Sequence, residues 1–111
     1  MNVDFASDRL AEFLQSPKAL TREYGPENAK TIGFRLNSLY AADDLQVMAS
    51  LPGRLEELRG DRAETFSLRL KHGYRLVFAP KEPDSARRPD GTLDWSRVRA
   101  VIILEVVTYH D

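Results

Sequence analysis

The chain predicts an α+β fold, with N-terminal helices packed on one face of a small, mainly antiparallel twisted sheet. Three observations predict it. In the first half, apolar residues recur at helical spacing, as in Leu10, Phe13 and Leu14 and again in Ile32, Leu36 and Leu39. After Leu51-Pro52-Gly53 the period becomes two, with Phe66, Leu68 and Leu70 on one face and Ser67, Arg69 and Lys71 on the other. The last segment, Val98 to Val107, is nearly continuous apolar and β-branched. A length of 111 residues suits one domain, 1–111, built around a single hydrophobic core.

The elements follow in order. Met1 to Phe5 reads as a short strand with Val3 and Phe5 on one face. Leu10, Phe13 and Leu14 then mark a helix behind Ser7 or Asp8 as N-cap. Ser16-Pro17 restarts a helix with a cap and a first-turn proline, and Tyr24-Gly25-Pro26 ends it. From Pro26-Glu27 onward, Ala29, Ile32, Gly33, Leu36, Leu39 and Tyr40 form one stripe of a longer helix, with Lys30, Arg35 and Asn37 mostly opposite. Asp43-Asp44 breaks or recaps that helix before a helical turn at Leu45 to Ala49, and is a helix-end feature, not a metal site.

In the second half, His72-Gly73 supplies a hairpin turn, after which Tyr74, Leu76 and Phe78 resume the apolar face opposite Arg75. Between Pro80 and Arg97 lies a polar loop with Pro80, Pro83, Pro89 and Asp90-Gly91, long enough to be either mobile or functional. Trp95 is expected to anchor its end on the core. Val98 to Val107 is expected to be a central strand buried on both faces. The other face of the sheet, carrying Arg69 and Arg75, is left for a ligand.

Composition narrows the setting. No run approaches the roughly 18 apolar residues of a membrane span. The N-terminus has neither the basic start nor the apolar core of a secretory signal. Without cysteine there is no disulfide framework and no thiolate metal site, so a cytoplasmic protein is expected. The net charge of −1 is low for a nucleic-acid binder, but it is uneven. Residues 54–88 hold nine basic and six acidic side chains, a local +3, while residues 1–53 and 89–111 are −2 each. This is either a local basic field for an anion or an ordinary mixed surface.

Arg62, Arg69, Lys71 and Arg75 lie close together in sequence, and His110, one of two histidines, follows the last strand. Cations that hold phosphates, together with a titratable imidazole, are what RNA cleavage without a metal requires. A base takes the 2′ proton, cations stabilise the phosphorane, and an acid protonates the departing 5′ oxygen. An imidazole suits either proton role, so His110 is the catalytic candidate or else a solvated end residue. Tyr109 either serves RNA by stacking or hydrogen bonding, or packs its ring on the sheet. Strict alternation separates Tyr109 from His110 unless the chain turns or bulges after Val107.

Arg75 either grips a phosphate with its planar fork or pairs internally with Asp61, Glu64 or Glu105. Arg62, Arg69 and Lys71 are cast as RNA- or phosphate-positioning groups, with a solvated face as the alternative for each. His72 reads as a turn residue. Glu56, a carboxylate, is a poorly matched general base near neutral pH. No metal or cofactor is expected.

The run Leu55-Glu56-Glu57-Leu58-Arg59-Gly60-Asp61-Arg62, then Phe66-Ser67-Leu68-Arg69-Leu70, Tyr74-Arg75-Leu76-Val77-Phe78 and Tyr109-His110, resembles HigB-type toxins. These plasmid maintenance killer proteins belong to the RelE/ParE toxin–antitoxin superfamily. The likeness covers most of the chain and is most specific from Arg54 to Phe78 and at the C-terminus. It implies a ribosome-dependent endoribonuclease that cuts translated mRNA. It also implies a tight complex with a cognate antitoxin carrying a helix-turn-helix DNA-binding domain. Its active surface would include Arg62, Arg75, Tyr109 and His110. Glu56 stands where studied relatives carry a histidine, and Thr108 where they often carry an aspartate. The same superfamily fold leaves two other readings open. One is a ParE-like DNA gyrase inhibitor that performs no chemistry; the other is a degenerate toxin kept as an antitoxin-binding module.

Overall fold

The computed structural model describes residues 1–60 and 64–108. Strand β1 (Asn2–Phe5) leads into helices α1 (Asp8–Leu14), α2 (Pro17–Tyr24), α3 (Pro26–Ala41) and α4 (Leu45–Met48). The helix starts are where polar caps demand them. Ser7 Oγ accepts from the Leu10 N–H, Ser16 Oγ from the Ala19 N–H, and the Asp44 carboxylate from the Val47 N–H. Strands β2 (Glu56–Glu57), β3 (Phe66–Arg69), β4 (Tyr74–Pro80) and β5 (Ala100–Thr108) complete a five-stranded sheet of order β1-β5-β4-β3-β2. β1 runs parallel to β5, and every other pairing is antiparallel. The mixed α+β architecture expected from the sequence is the one observed.

The helices cover one face only. Leu14, Leu20, Ile32, Leu36, Leu39, Leu45 and Met48 meet Phe66, Leu68, Leu76, Phe78, Val101 and Ile103 in one buried cluster. Each such side chain contributes about 1.5–3 kcal/mol when fully buried, so this face is fixed as the inner one. β5 is central, as expected, but not buried on both faces. Val101 and Ile103 are buried, whereas Ile102, Leu104, Glu105, Val106 and Val107 are only half-buried. The register steps from Phe78↔Ile103 to Val77↔Glu105, which leaves Leu104 as an extra, bulged residue.

The stripe on α3 is also rotated from the expected one. Tyr40 is 47% exposed, while Asn28 and Thr31 are buried and Arg35 is half-buried. α3 must serve both α2 and the end of the β3–β4 hairpin, and the second duty brings polar side chains inward. β2, two residues long, is too short to show any periodicity in the sequence.

The loop after β4 is pinned. Pro83–Ala86 and Trp95–Arg97 form 3₁₀ turns, and Arg87 bridges Leu93. Trp95 meets Phe66 edge-on at 5.3 Å, the anchoring contact expected of it. The Arg87 guanidinium donates to both Glu64 carboxylate oxygens, at 2.6 and 2.8 Å, and to Asp84 at 2.7 Å. These bonds tie the loop to the segment entering β3.

The hydrogen bonds from Arg87 hold the Glu64 carboxyl below its ordinary 4.5. The same pairing holds Arg87 above the usual guanidinium range. A carboxyl that binds its proton less readily when folded stabilises the fold above the unfolded value and stops doing so as pH falls through the folded one. We expect Glu64→Gln to lower the urea midpoint at pH 7. Midpoints measured between pH 7 and pH 3 should converge on wild type as the pH drops below about 4.

Candidate anion-binding cleft

Strand alternation assembles the site on the face turned away from the helices. β3 pairs with β4 so that Arg69 stands opposite Arg75 and Ser67 opposite Val77. β2 then lays Glu56 beside Ser67. The connection has Lys71, His72 and Gly73 between Leu70 and Tyr74, with His72 at φ 58° and Gly73 at φ 79°, and the Tyr74 N–H donates to the Lys71 carbonyl at 3.2 Å. His72 is therefore the turn residue the sequence predicts, with Nε2 3.0 Å from Glu27 Oε1.

Arg75 Nη1 donates to Glu56 Oε2 and to Ser67 Oγ, both at 3.1 Å. The other carboxylate oxygen, Glu56 Oε1, lies 3.7 Å from Arg69 Nη2 and 3.9 Å from Arg54 Nε. Three guanidiniums thus share one carboxylate. Arg75 is the deepest of them, its side chain 19% exposed, against 47% for Arg69 and 69% for Arg54. An open cleft of about 450 Å³ beside them is lined by Glu56, Leu58, Arg69, Leu70, Gly73, Tyr74 and Arg75. Guanidinium forks recognise carboxylates and phosphates by the same charge-assisted hydrogen bonds, so the cleft is chemically an anion site.

α3 and the Pro52-Gly53 pivot hold the outer end of β3, which β2 is too short to cover. The Arg69 N–H donates to the Gly53 carbonyl at 2.6 Å, and Arg35 Nε donates to the Arg69 carbonyl at 2.9 Å. Burial lowers the pKa of Arg35. Gly53, at φ 118°, has no room for a side chain: a Cβ there would sit 2.9 Å from Arg35 Nε. The buried Asn28 carboxamide continues the edge, accepting from the Lys71 N–H at 2.7 Å and donating to the Lys71 carbonyl at 3.1 Å. Arg35, expected on the solvated side of its helix, instead braces the strand that carries Arg69.

Of the residues singled out in the sequence, Arg69 and Arg75 come together in the cleft. Lys71 stands exposed at the hairpin turn, outside the cleft lining. Arg62, Tyr109 and His110 lie outside the described residues. Asp61, weighed as a partner for Arg75, does so as well, and Glu64 is taken by Arg87; the carboxylate on Arg75 Nη1 is Glu56. Arg54 and the central place of Glu56 escaped sequence reasoning. No alternation could have found Arg54, which stands in the left-handed region at φ 50°, ahead of β2. Thr108, the last described residue, pairs with Tyr74 of the cleft, and Val107 pairs with Arg75.

A mixed sheet covered by helices on one face is an architecture with solved counterparts. It is the fold of YoeB/ParE-type toxins. The structure is similar to a YoeB/ParE toxin from Agrobacterium tumefaciens, with a TM-score of 0.60 and 12% identity over 99% of this chain and 100% of that one. It is also similar to the YoeB–YefM complex from Staphylococcus aureus (TM-score 0.57, 18% identity, 100% of this chain and 98% of that one). The YoeB dimer from Staphylococcus aureus matches at a TM-score of 0.54 and 19% identity, with the same coverage. At these identities the likeness is one of fold. No family model and no curated protein matches the chain.

Asn28→Ala would leave the Lys71 N–H without its partner, and an unmet, partly buried hydrogen-bonding group costs about 1–3 kcal/mol. We expect a loss of that size in urea denaturation. Hydrogen exchange should rise first at the Lys71 and Arg69 amides, at the lip of the cleft.

Proposed function

We propose that this single-domain chain is the toxin of a type II toxin–antitoxin system. It cleaves mRNA on the ribosome without a metal or cofactor, and a cognate antitoxin silences it in the cytoplasm. The observation that carries the reading is the arginine cluster around Glu56 on the open face of a YoeB/ParE-like fold. The HigB-like order of motifs supports the nuclease. The YoeB–YefM complex among the similar structures supports an antitoxin partner, for which the resemblance suggests a helix-turn-helix DNA-binding domain.

In the proposed reaction the ribose 2′-oxygen attacks the adjacent phosphorus, its proton passing to a base. The P–O5′ bond breaks, leaving a 2′,3′-cyclic phosphate and a 5′-hydroxyl. Arg75 and Arg69 hold the phosphate oxygens as charge builds on the phosphorane. Glu56, weakly basic for the task but the carboxylate placed beside both arginines, takes the 2′ proton, and the imidazole of His110 protonates the departing oxygen. Tyr109 hydrogen-bonds the reacting phosphate or stacks on a base, and Arg62 and Lys71 position the RNA backbone. The pairing of Thr108 with Tyr74 supports this assignment of the C-terminal residues. Two residues of chain reach at most about 7 Å, which is the distance available to His110 beyond Thr108.

Induction of the chain alone should halt translation, and primer extension on the cell's transcripts should map cuts in the reading frame. Arg75→Ala and His110→Ala should each relieve the arrest and lower cleavage by about 10²–10⁴-fold. Broken DNA with intact transcripts would identify a gyrase inhibitor instead. Absence of any growth effect, with an antitoxin still co-purifying, would identify a binding module.

A further inference from the structure

The carboxylate of Glu56 sits where a bound phosphate would do the same job. One oxygen accepts from Arg75, and the other lies within 4 Å of both Arg69 and Arg54. Three guanidiniums thus converge on one carboxylate, each by the kind of contact a phosphate oxygen would make. Arg75 is mostly enclosed, its side chain 19% exposed against 39% for Glu56, and its Nη1 donates to both Glu56 and Ser67. An incoming phosphodiester that engages Arg75 Nη1 competes with that carboxylate for it.

We infer that Glu56 is a built-in competitor for the phosphate site, and that single-stranded RNA binds by exchange, its phosphate displacing Glu56 from Arg75, Arg69 and Arg54. The inference rests on the reading of the cleft as a phosphate site. Exchange gives the device two consequences. Small anions, each contributing one weak contact set, compete poorly with a tethered carboxylate, whereas a polyanion that also meets Arg54 and Arg69 from outside displaces it. Glu56 is also released beside the bound phosphate at the moment the substrate arrives, so the proton acceptor is delivered by binding. Arg54, which the sequence reading left out, becomes a binding residue of the same site.

The test measures the affinity of a short single-stranded oligonucleotide with 2′-deoxy sugars, which cannot be cleaved through the 2′ oxygen, at several salt concentrations. Three proteins are compared: wild type, Glu56→Gln, and Glu57→Gln. Glu57 is exposed on the opposite side of β2, so its substitution removes the same charge without touching the arginines. Exchange predicts that Glu56→Gln binds about tenfold tighter or more, with a steeper salt dependence, while losing cleavage of the all-ribose RNA. Glu57→Gln should differ little from wild type. Equal or weaker binding by a folded Glu56→Gln overturns the inference and leaves the phosphate site standing. Equal tightening by both variants overturns it too, because bulk charge would then account for the gain. If neither wild type nor Glu56→Gln binds at low salt, the phosphate-site reading falls together with the inference.

Discussion

The constraint on which the rest depends is the register of β3 against β4. A strand sends successive side chains to opposite faces, so a slip of β3 by one residue would send Arg69 into the core and Leu68 into water while β4 stayed in place. Two things forbid the slip. Phe66, Leu68, Leu76 and Phe78 are all fully buried against the helices, and the left-handed pair His72-Gly73 fixes the tight turn between the strands. Phe66 and Phe78 add a stacked ring pair at 5.9 Å directly across the ladder. The hydrophobic face thus sets the position of the cationic one.

Holding like charges side by side costs energy, and the fold offsets that cost locally. Arg69 and Arg75 are cross-strand neighbours, an arrangement that is destabilising if nothing intervenes. Glu56 intervenes, with Ser67 as a second acceptor for Arg75. The two-residue strand β2 has little other structural purpose: it pairs only with Ser67 and Phe66 and brings one carboxylate to three guanidiniums.

The helical layer braces the cleft mainly by side chains that bond strand and turn peptides. Asn28 and Arg35, about two turns apart on α3, hold the Lys71 and Arg69 peptides, and Gly53 accepts the Arg69 N–H. An edge strand that would otherwise offer unpaired peptides is closed by side chains. The same bonds prevent the arm carrying Arg69 from swinging. Tyr24 and Phe13 extend this support beneath Tyr74 through edge-on ring contacts at 5.0 and 5.9 Å. Burial within that ladder pushes the Tyr24 phenol up.

Local features of the sequence were sufficient wherever a short segment carried its own energetic reason. Ser7, Ser16 and Asp44 mark helix starts because their side chains satisfy nearby N–H groups. The alternation from Phe66 to Phe78 marks a hairpin because one face must be apolar, and it also put Arg69 and Arg75 on the same open face. Tertiary structure decided what depends on partners far away in the chain. The polar side of α3 turned inward because Asn28 and Arg35 meet peptides 43 and 34 residues away. β5 kept one face open because the helices cover only the other. Glu56 became the centre of the cleft because three arginines from three different segments converge on it, and no local pattern encodes the meeting of groups that only folding brings within 4 Å.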